Sequence, residues 1–205
     1  EWSIHKVAER TGVITRFICA ESETPLDMAV ASCQQLFERE EVAAKNIGAV
    51  IFCTQSPDHI MPPNATLLQH RLGLPTSIAS FDYSLACSGF IYGLFLGKAL
   101  IESGLSDNVL LVTSEAYSKH IHHADRATTA LFGDGAAATL LRRGQTGIGE
   151  FVVGTDGSGG DRFIIPAGGV RFPASQSTFV ETQEVSGNVR TAQNIHMDGP
   201  AVLTF

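Results

Sequence analysis

Short, β-branched apolar runs alternate along this chain with longer stretches whose apolar positions recur at helical spacing. Residues 47–53, 77–82, 108–113, 135–141 and 148–153 have the first character. Runs of that length, bounded by turn residues, predict buried strands. Residues 24–45, 64–72 and 88–103 have the second, and 4–9 predict a shorter helix. Thr24-Pro25-Leu26-Asp27 supplies an N-cap, a proline at the first helical position and an acidic group in the first turn. Gly104 reads as the stop after the helix at 88–103. Strands alternating with helices, and apolar at most positions, predict an α/β fold with a mainly parallel sheet covered on both faces. From 154 to 193 Gly, Ser and polar residues dominate, which predicts irregular loops with a short strand near 163–165.

The helix at 88–103 follows Ser84-Leu85-Ala86-Cys87-Ser88-Gly89-Phe90. A cysteine between a strand and a helix points its sulfur at the unpaired N–H groups of the helix start. Those groups and the helix dipole favour thiolate over thiol, so Cys87 reads as a nucleophile for covalent catalysis. The alternative is a cysteine that only packs, the commoner fate of a free thiol. Ala86, Ser88 and Gly89 leave room for a substrate at the sulfur. Gly89, Gly93 and Gly97 mark one face of the helix and predict a close neighbour, because glycine costs about 1 kcal/mol against alanine there. Phe90, Ile91, Leu94, Phe95, Leu96, Leu100 and Ile101 make the rest apolar nearly all round. Such a helix is expected in the middle of the protein, with Cys87 at the inner end of a pocket.

Composition narrows the classes. The 205 residues are 44% hydrophobic, ample for a core, and no segment is long and charge-free enough to span a bilayer. A net charge of -7 and a pI near 5.4 argue against nucleic acid as the main partner. Cys19, Cys33, Cys53 and Cys87 show no CxxC or metal-ligand spacing, so reduced thiols in a cytoplasmic protein are expected. His120, His122, His123 and Asp125 lie in a polar stretch at no standard metal spacing and read as a surface cluster. Gly154-Thr155-Asp156-Gly157-Ser158-Gly159-Gly160 precedes no apolar helix and reads as a turn-rich loop rather than a phosphate cradle. There is no G-x-S-x-G elbow. Both ends read as cut, at Glu1 without Met and at Phe205 within an apolar run.

Taken together, Asp82-Tyr83-Ser84-Leu85-Ala86-Cys87-Ser88-Gly89-Phe90, Leu111-Val112-Thr113-Ser114-Glu115, Asp125-Arg126 and Phe132-Gly133-Asp134-Gly135-Ala136 resemble the β-ketoacyl-acyl carrier protein synthase III family of the thiolase superfamily. Thr11-Gly12-Val13 with Arg16, and Asn194-Ile195-His196-Met197-Asp198-Gly199, match further family elements in order. The resemblance implies a thiolase-like α/β fold, with residues 1–205 an incomplete first half and 154–205 a loop-rich lead into a second half. It implies that Cys87 takes an acyl group from acyl-coenzyme A and condenses it with a malonyl thioester on acyl carrier protein, with no cofactor and no metal. It implies that Arg126 and Arg10 contact coenzyme A, that Leu131, Phe132, Ile195 and Gly199 surround the acyl pocket, and that Met61 reaches across a homodimer. Membrane and nucleic acid are not expected partners.

The resemblance has departures. Glu1-Trp2 lies several residues further from Thr11-Gly12 than the family's E-W pair, which leaves Trp2 as a core or surface aromatic. A His and an Asn for decarboxylation are expected from a second half. A strand expected upstream of Glu1, central in the half-sheet, would leave a gap in the sheet. Rival readings are an acyltransferase of the same fold, a non-catalytic dimer partner, and a Cys-based α/β-hydrolase, for which no acid and His appear in order. Arg126 has a structural alternative as the partner of Asp125 in a surface salt bridge.

Overall fold

The computed structural model describes residues 4–144 and 147–204. Trp2 therefore lies outside the described residues. The chain forms two compact units: Cys19–Ala116 with Asp134–Val152, and Glu1–Ile18 with Tyr117–Gly133 and Val153–Phe205. No described helix is long and apolar enough to cross a membrane.

The first unit is built on four strands, β1 (Ala49–Cys53), β2 (Ala79–Tyr83), β3 (Asn108–Glu115) and β4 (Gly135–Arg142), in the order β2-β1-β3-β4. β1 runs parallel to β2 and β3, whereas β4 is antiparallel to β3. The sheet is thus mainly parallel with one reversed strand. It has no central gap: Ala49 faces Ala79 on one side and Val109 on the other. The expectation of a missing central strand is overturned, because the backbone groups of β1 and β3 satisfy each other directly.

Every residue of β1 is buried, as a strand covered on both faces must be. On one face Val50, Phe52, Leu110 and Val112 pack with Leu26, Val30, Cys33 and Leu36 of α2 (Pro25–Arg39) and Ala65 and Leu68 of α3 (Asn64–Arg71). On the other, Ala49, Ile51, Val109, Leu111 and Leu141 pack with Leu94, Leu96, Leu100 and Ile101 of α4 (Gly89–Glu102). α2 starts with the expected cap: the Asp27 N–H donates to Thr24 Oγ1 at 3.2 Å and the Thr24 N–H donates back to Asp27 Oδ2 at 3.0 Å. It ends at Arg39 rather than near 45. Glu41 takes a φ of 49°, which breaks the helix, and Ala44–Asn46 form a separate 3-10 turn.

α4 departs most from expectation. Its buried residues are Gly89, Gly93 and Gly97 alone, while Phe90, Ile91 and Phe95 are 43%, 48% and 39% exposed. The glycine face lies directly on the sheet, and the opposite apolar face is only partly covered, by an edge-on contact of Phe151 with Phe95 at 5.6 Å. A β-carbon at Gly93 would collide with Leu111 Cδ1 and stand 2.5 Å from Tyr83 Oη. Gly93→Ala is therefore expected to destabilise by roughly 1–3 kcal/mol, the cost of overpacking exceeding the helix-propensity gain. A urea midpoint equal to or above that of the parent would contradict this packing.

Residues 148–153 form no strand. The Ile148 and Gly149 carbonyls accept from Lys98 Nζ at 3.0 and 2.8 Å instead of entering a ladder.

The second unit contains α1 (Ile4–Thr11), α5 (Arg126–Thr129), α6 (Gly199–Thr204) and two short antiparallel pairs. These are β5 (Phe163–Ile164) with β8 (His196–Met197), and β6 (Thr182–Gln183) with β7 (Val189–Arg190). A 3-10 turn at Gly157–Gly159 bears out the turn-rich reading of that glycine run. The unit's small core includes Tyr117, Phe132 and Phe163, with ring centroids 5.4–6.1 Å apart.

Candidate active site

Cys87 occupies the turn that joins β2 to α4. The turn closes where the Gly89 N–H donates to the Ala86 carbonyl at 2.8 Å. Cys87 stands two residues before the first helical residue, and its side chain is exposed rather than enclosed. It stands at the start of a helix whose outer face is only partly covered: Phe95 meets Phe151 edge-on at 5.6 Å, while Phe90 and Ile91 stay exposed. The other thiols differ. Cys33 is buried, and burial pushes its thiol up to about 12. Cys53 is buried too, raised mainly by desolvation, and donates to the Leu85 carbonyl at 3.2 Å. Cys19 is half-buried. Cys87 is the one exposed thiol of the four.

Two half-buried carboxylates brace the strand ends beside this turn. Asp82 accepts the N–H groups of Asn64 and Ala65, both at 2.7 Å, and so caps the start of α3. Glu115, at the end of β3, accepts from the Gln55 N–H and the Ser56 hydroxyl, each at 2.6 Å. Burial raises both carboxyls, outweighing these bonds. Glu115 fixes the start of the loop at 54–63, which carries Met61, and Asp82 fixes the helix start that follows its end. Met61 itself is 78% exposed.

The remaining predicted residues lie in the second unit. Arg126 begins α5; it is exposed and makes no ion pair among the described residues. The alternative of a surface bridge to Asp125 is overturned. Asp125 is fully buried, caps α5 through the Ala127 and Thr128 N–H groups, and pairs with Arg190 Nε at 2.7 Å. Burial pushes the Asp125 carboxyl up, but Arg190 and Thr128 together hold it below the usual carboxylate range. Arg10 is exposed in the last turn of α1. Phe132 and Leu131 are half-buried, and the Phe132 carbonyl accepts from Arg16 Nη1 at 3.3 Å. Ile195 is buried, and its N–H donates to the His120 carbonyl at 2.8 Å. Gly199 opens α6.

The His cluster is partly internal. Burial lowers the basicity of His120, and His122 Nε2 lies 3.3 Å from Glu181 Oε1. No group of three potential metal ligands converges among the described residues. Glu115, Asp82 and Tyr83 lie within the family-like motifs, but nothing in the sequence assigns them a task. Only their spacing to the strand ends hinted at one.

Residues 81–157 match the family 3-Oxoacyl-[acyl-carrier-protein (ACP)] synthase III. A Beta-ketoacyl-[acyl-carrier-protein] synthase III of Chlamydia caviae is 38% identical over 88% of this chain and 53% of its own length. One from Caldanaerobacter subterraneus subsp. tengcongensis is 37% identical over 100% of this chain and 58% of its own. A crystal structure of a 3-oxoacyl-(acyl-carrier-protein) synthase III superposes with a TM-score of 0.96 at 42% identity, covering 100% of this chain and 61% of that one. The enzyme of Thermus thermophilus superposes with a TM-score of 0.80 at 33% identity, covering 100% and 60%. This chain thus spans little more than half the length of the curated relatives it matches.

Proposed function

The chain belongs to the β-ketoacyl-[acyl-carrier-protein] synthase III family of the thiolase superfamily, and from that membership we propose that these residues are the first half of an acyl-transferring ketosynthase. The observation that carries the reading is the single exposed thiol, Cys87, on a braced turn at the β2–α4 junction. Its thiolate attacks the carbonyl carbon of acyl-coenzyme A. The negative charge that develops on the carbonyl oxygen is met by the backbone N–H of Cys87 as one oxyanion donor. The intermediate collapses, the bond to the coenzyme A sulfur breaks, and coenzyme A leaves with the proton lost by Cys87. The acyl group then moves from Cys87 to the carbanion formed when a malonyl thioester on acyl carrier protein loses carbon dioxide. That second step calls on a His and an Asn of the other half of the duplicated fold.

The family pattern assigns coenzyme A contacts to Arg126 and Arg10. It assigns the acyl pocket to Leu131, Phe132, Ile195 and Gly199, and a reach across a homodimer to Met61. The exposure of Met61, Phe90 and Ile91 supports a surface that a second copy covers. The test uses the full-length protein: incubate it with acyl-coenzyme A, digest it, and map the acyl adduct by mass. An adduct on Cys87, followed by malonyl-dependent release of carbon dioxide, is the expected result. Acyl transfer to an alcohol or amine without carbon dioxide would favour a plain acyltransferase, and an adduct on another residue would remove Cys87 from the chemistry.

Arg126 supplies a second prediction. Its guanidinium has no protein carboxylate to satisfy it among the described residues, and it is suited to pair with phosphate. Arg126→Ala is expected to raise the KM for acyl-coenzyme A about tenfold, in line with the loss of one charge-assisted pair. Turnover of a short thioester that lacks the nucleotide should change little. An equal loss on both substrates would make Arg126 a structural residue.

A further inference from the structure

We propose that Tyr83 is a positioning residue for the Cys87 nucleophile, acting together with Cys53 from beneath the turn. The inference rests on the reading of Cys87 as the acylated residue and adds what fixes its geometry. The turn is tied down at two points, two residues to either side of Cys87. Ahead of it, Cys53 Sγ donates to the Leu85 carbonyl at 3.2 Å. Beyond it, the Tyr83 hydroxyl donates to the Gly89 carbonyl at 2.6 Å. The Ala86 to Gly89 backbone bond closes the loop between them.

Both anchors come from rigid backbone. Cys53 is the last residue of β1, Tyr83 is the last of β2, and the two are register partners in the parallel ladder. The helix makes room for them. A β-carbon at Gly89 would stand 2.5 Å from Cys53 Sγ, and one at Gly93 would stand 2.5 Å from Tyr83 Oη. The glycines at these two positions therefore admit the two donors. Burial pushes the Tyr83 phenol above its ordinary range and raises the Cys53 thiol, so both groups keep their protons and remain donors. A phenylalanine would fill the same volume at 83. The hydroxyl adds only direction, and its acceptor is the first carbonyl of the helix that follows the nucleophile.

The consequence is chemical. Acyl transfer needs the Cys87 sulfur and the Cys87 N–H to hold one relative geometry, the first to attack and the second to receive the developing oxyanion. A turn held on one side only samples other geometries, which slows attack without weakening substrate binding elsewhere.

The test uses the full-length protein and a rapid-quench measurement of acyl loading on Cys87 from acyl-coenzyme A. Tyr83→Phe removes only the hydroxyl and is expected to slow loading about tenfold, as a small misplacement of a reacting group does. The KM for the thioester and the melting temperature should stay near those of the parent. Cys53→Ala should act in the same direction, and Cys53→Ser, which restores a donor at the same place, should recover the rate. Unchanged loading in Tyr83→Phe overturns the proposal. So does a loss that only follows a lowered melting temperature and is not recovered by Cys53→Ser. If Tyr83→Phe does not fold, the Cys53→Ala and Cys53→Ser pair decides. Failure of the parent itself to acylate at Cys87 sinks the reading of the site, and it shows in the parent alone, before any variant is compared.

Discussion

Cys87→Ala in the full-length protein is expected to lower kcat for malonyl-dependent condensation by on the order of 10⁴ or more, as removal of a covalent nucleophile does. No neighbouring thiol is placed to replace it. Cys53 sits beneath the same turn, but it is buried and engaged with the Leu85 carbonyl. Cys33 is sealed between α2 and the sheet, its thiol held near 12. The variant should fold as well as the parent. Cys87 is exposed, and an exposed substitution outside a cap or core costs within about 0.5 kcal/mol. Loss of activity at an unchanged melting temperature is therefore the signature, read as carbon dioxide release alongside a thermal scan. Residual turnover near that of the parent would place the chemistry on another group.

The central strands β1 and β3 were legible because they are buried on both faces, so nearly every position is apolar. Val50 and Ile51 point to opposite faces and both meet hydrophobic side chains. The start of α2 was legible for a local reason, the Thr24–Asp27 box. Its end was not. Val42, Ala43 and Ala44 continue an apolar pattern past Arg39, and only the positive φ of Glu41 stops the helix. Residues 148–153 have strand composition, but a strand needs a partner, and Lys98 takes two of their carbonyls. The glycine stripe of α4 predicted close packing correctly. The apolar remainder of that helix misled, because composition reports that a face is hydrophobic and not what covers it.

The site was legible to the same extent. Cys87 stands out because its chemistry follows from a local junction of strand, turn and helix. The groups that brace it are brought together by the sheet. Glu115 meets Gln55 and Ser56, and Cys53 meets Leu85, only because β1, β2 and β3 are adjacent. Asp125 looked like a surface residue beside Arg126. Its actual partner is 65 positions away and invisible to any local pattern.

That pair carries the largest expected effect on stability. Arg190→Ala should destabilise the full-length protein by roughly 3–5 kcal/mol at neutral pH, the cost of leaving a buried charge without its partner. The Asp125 and Arg190 side chains are only 1% and 6% exposed, and their contact is 2.7 Å. Arg190 also reaches Glu184 at 2.9 Å, but that carboxylate is 37% exposed and water can replace the lost bond. Asp125 has no such recourse, and it caps α5 as well. The pH dependence has a definite sign. In the parent the folded Asp125 carboxyl lies below its ordinary value of 3.8, so its contribution is present above that value and is lost as the pH falls through the depressed one. In Arg190→Ala the opposing cation is gone and burial raises the folded carboxyl instead. The variant is then penalised increasingly as the pH rises above 3.8. The stability gap between parent and variant should be wide at neutral pH and narrow toward acid. Adding Asp125→Ala to Arg190→Ala should recover part of it, because no unpaired charge is then left. Denaturant midpoints of the parent, both single variants and the double variant, taken at neutral and acid pH, measure this. A gap that stays constant with pH would mean that Arg190 stabilises by packing its stem rather than by satisfying Asp125.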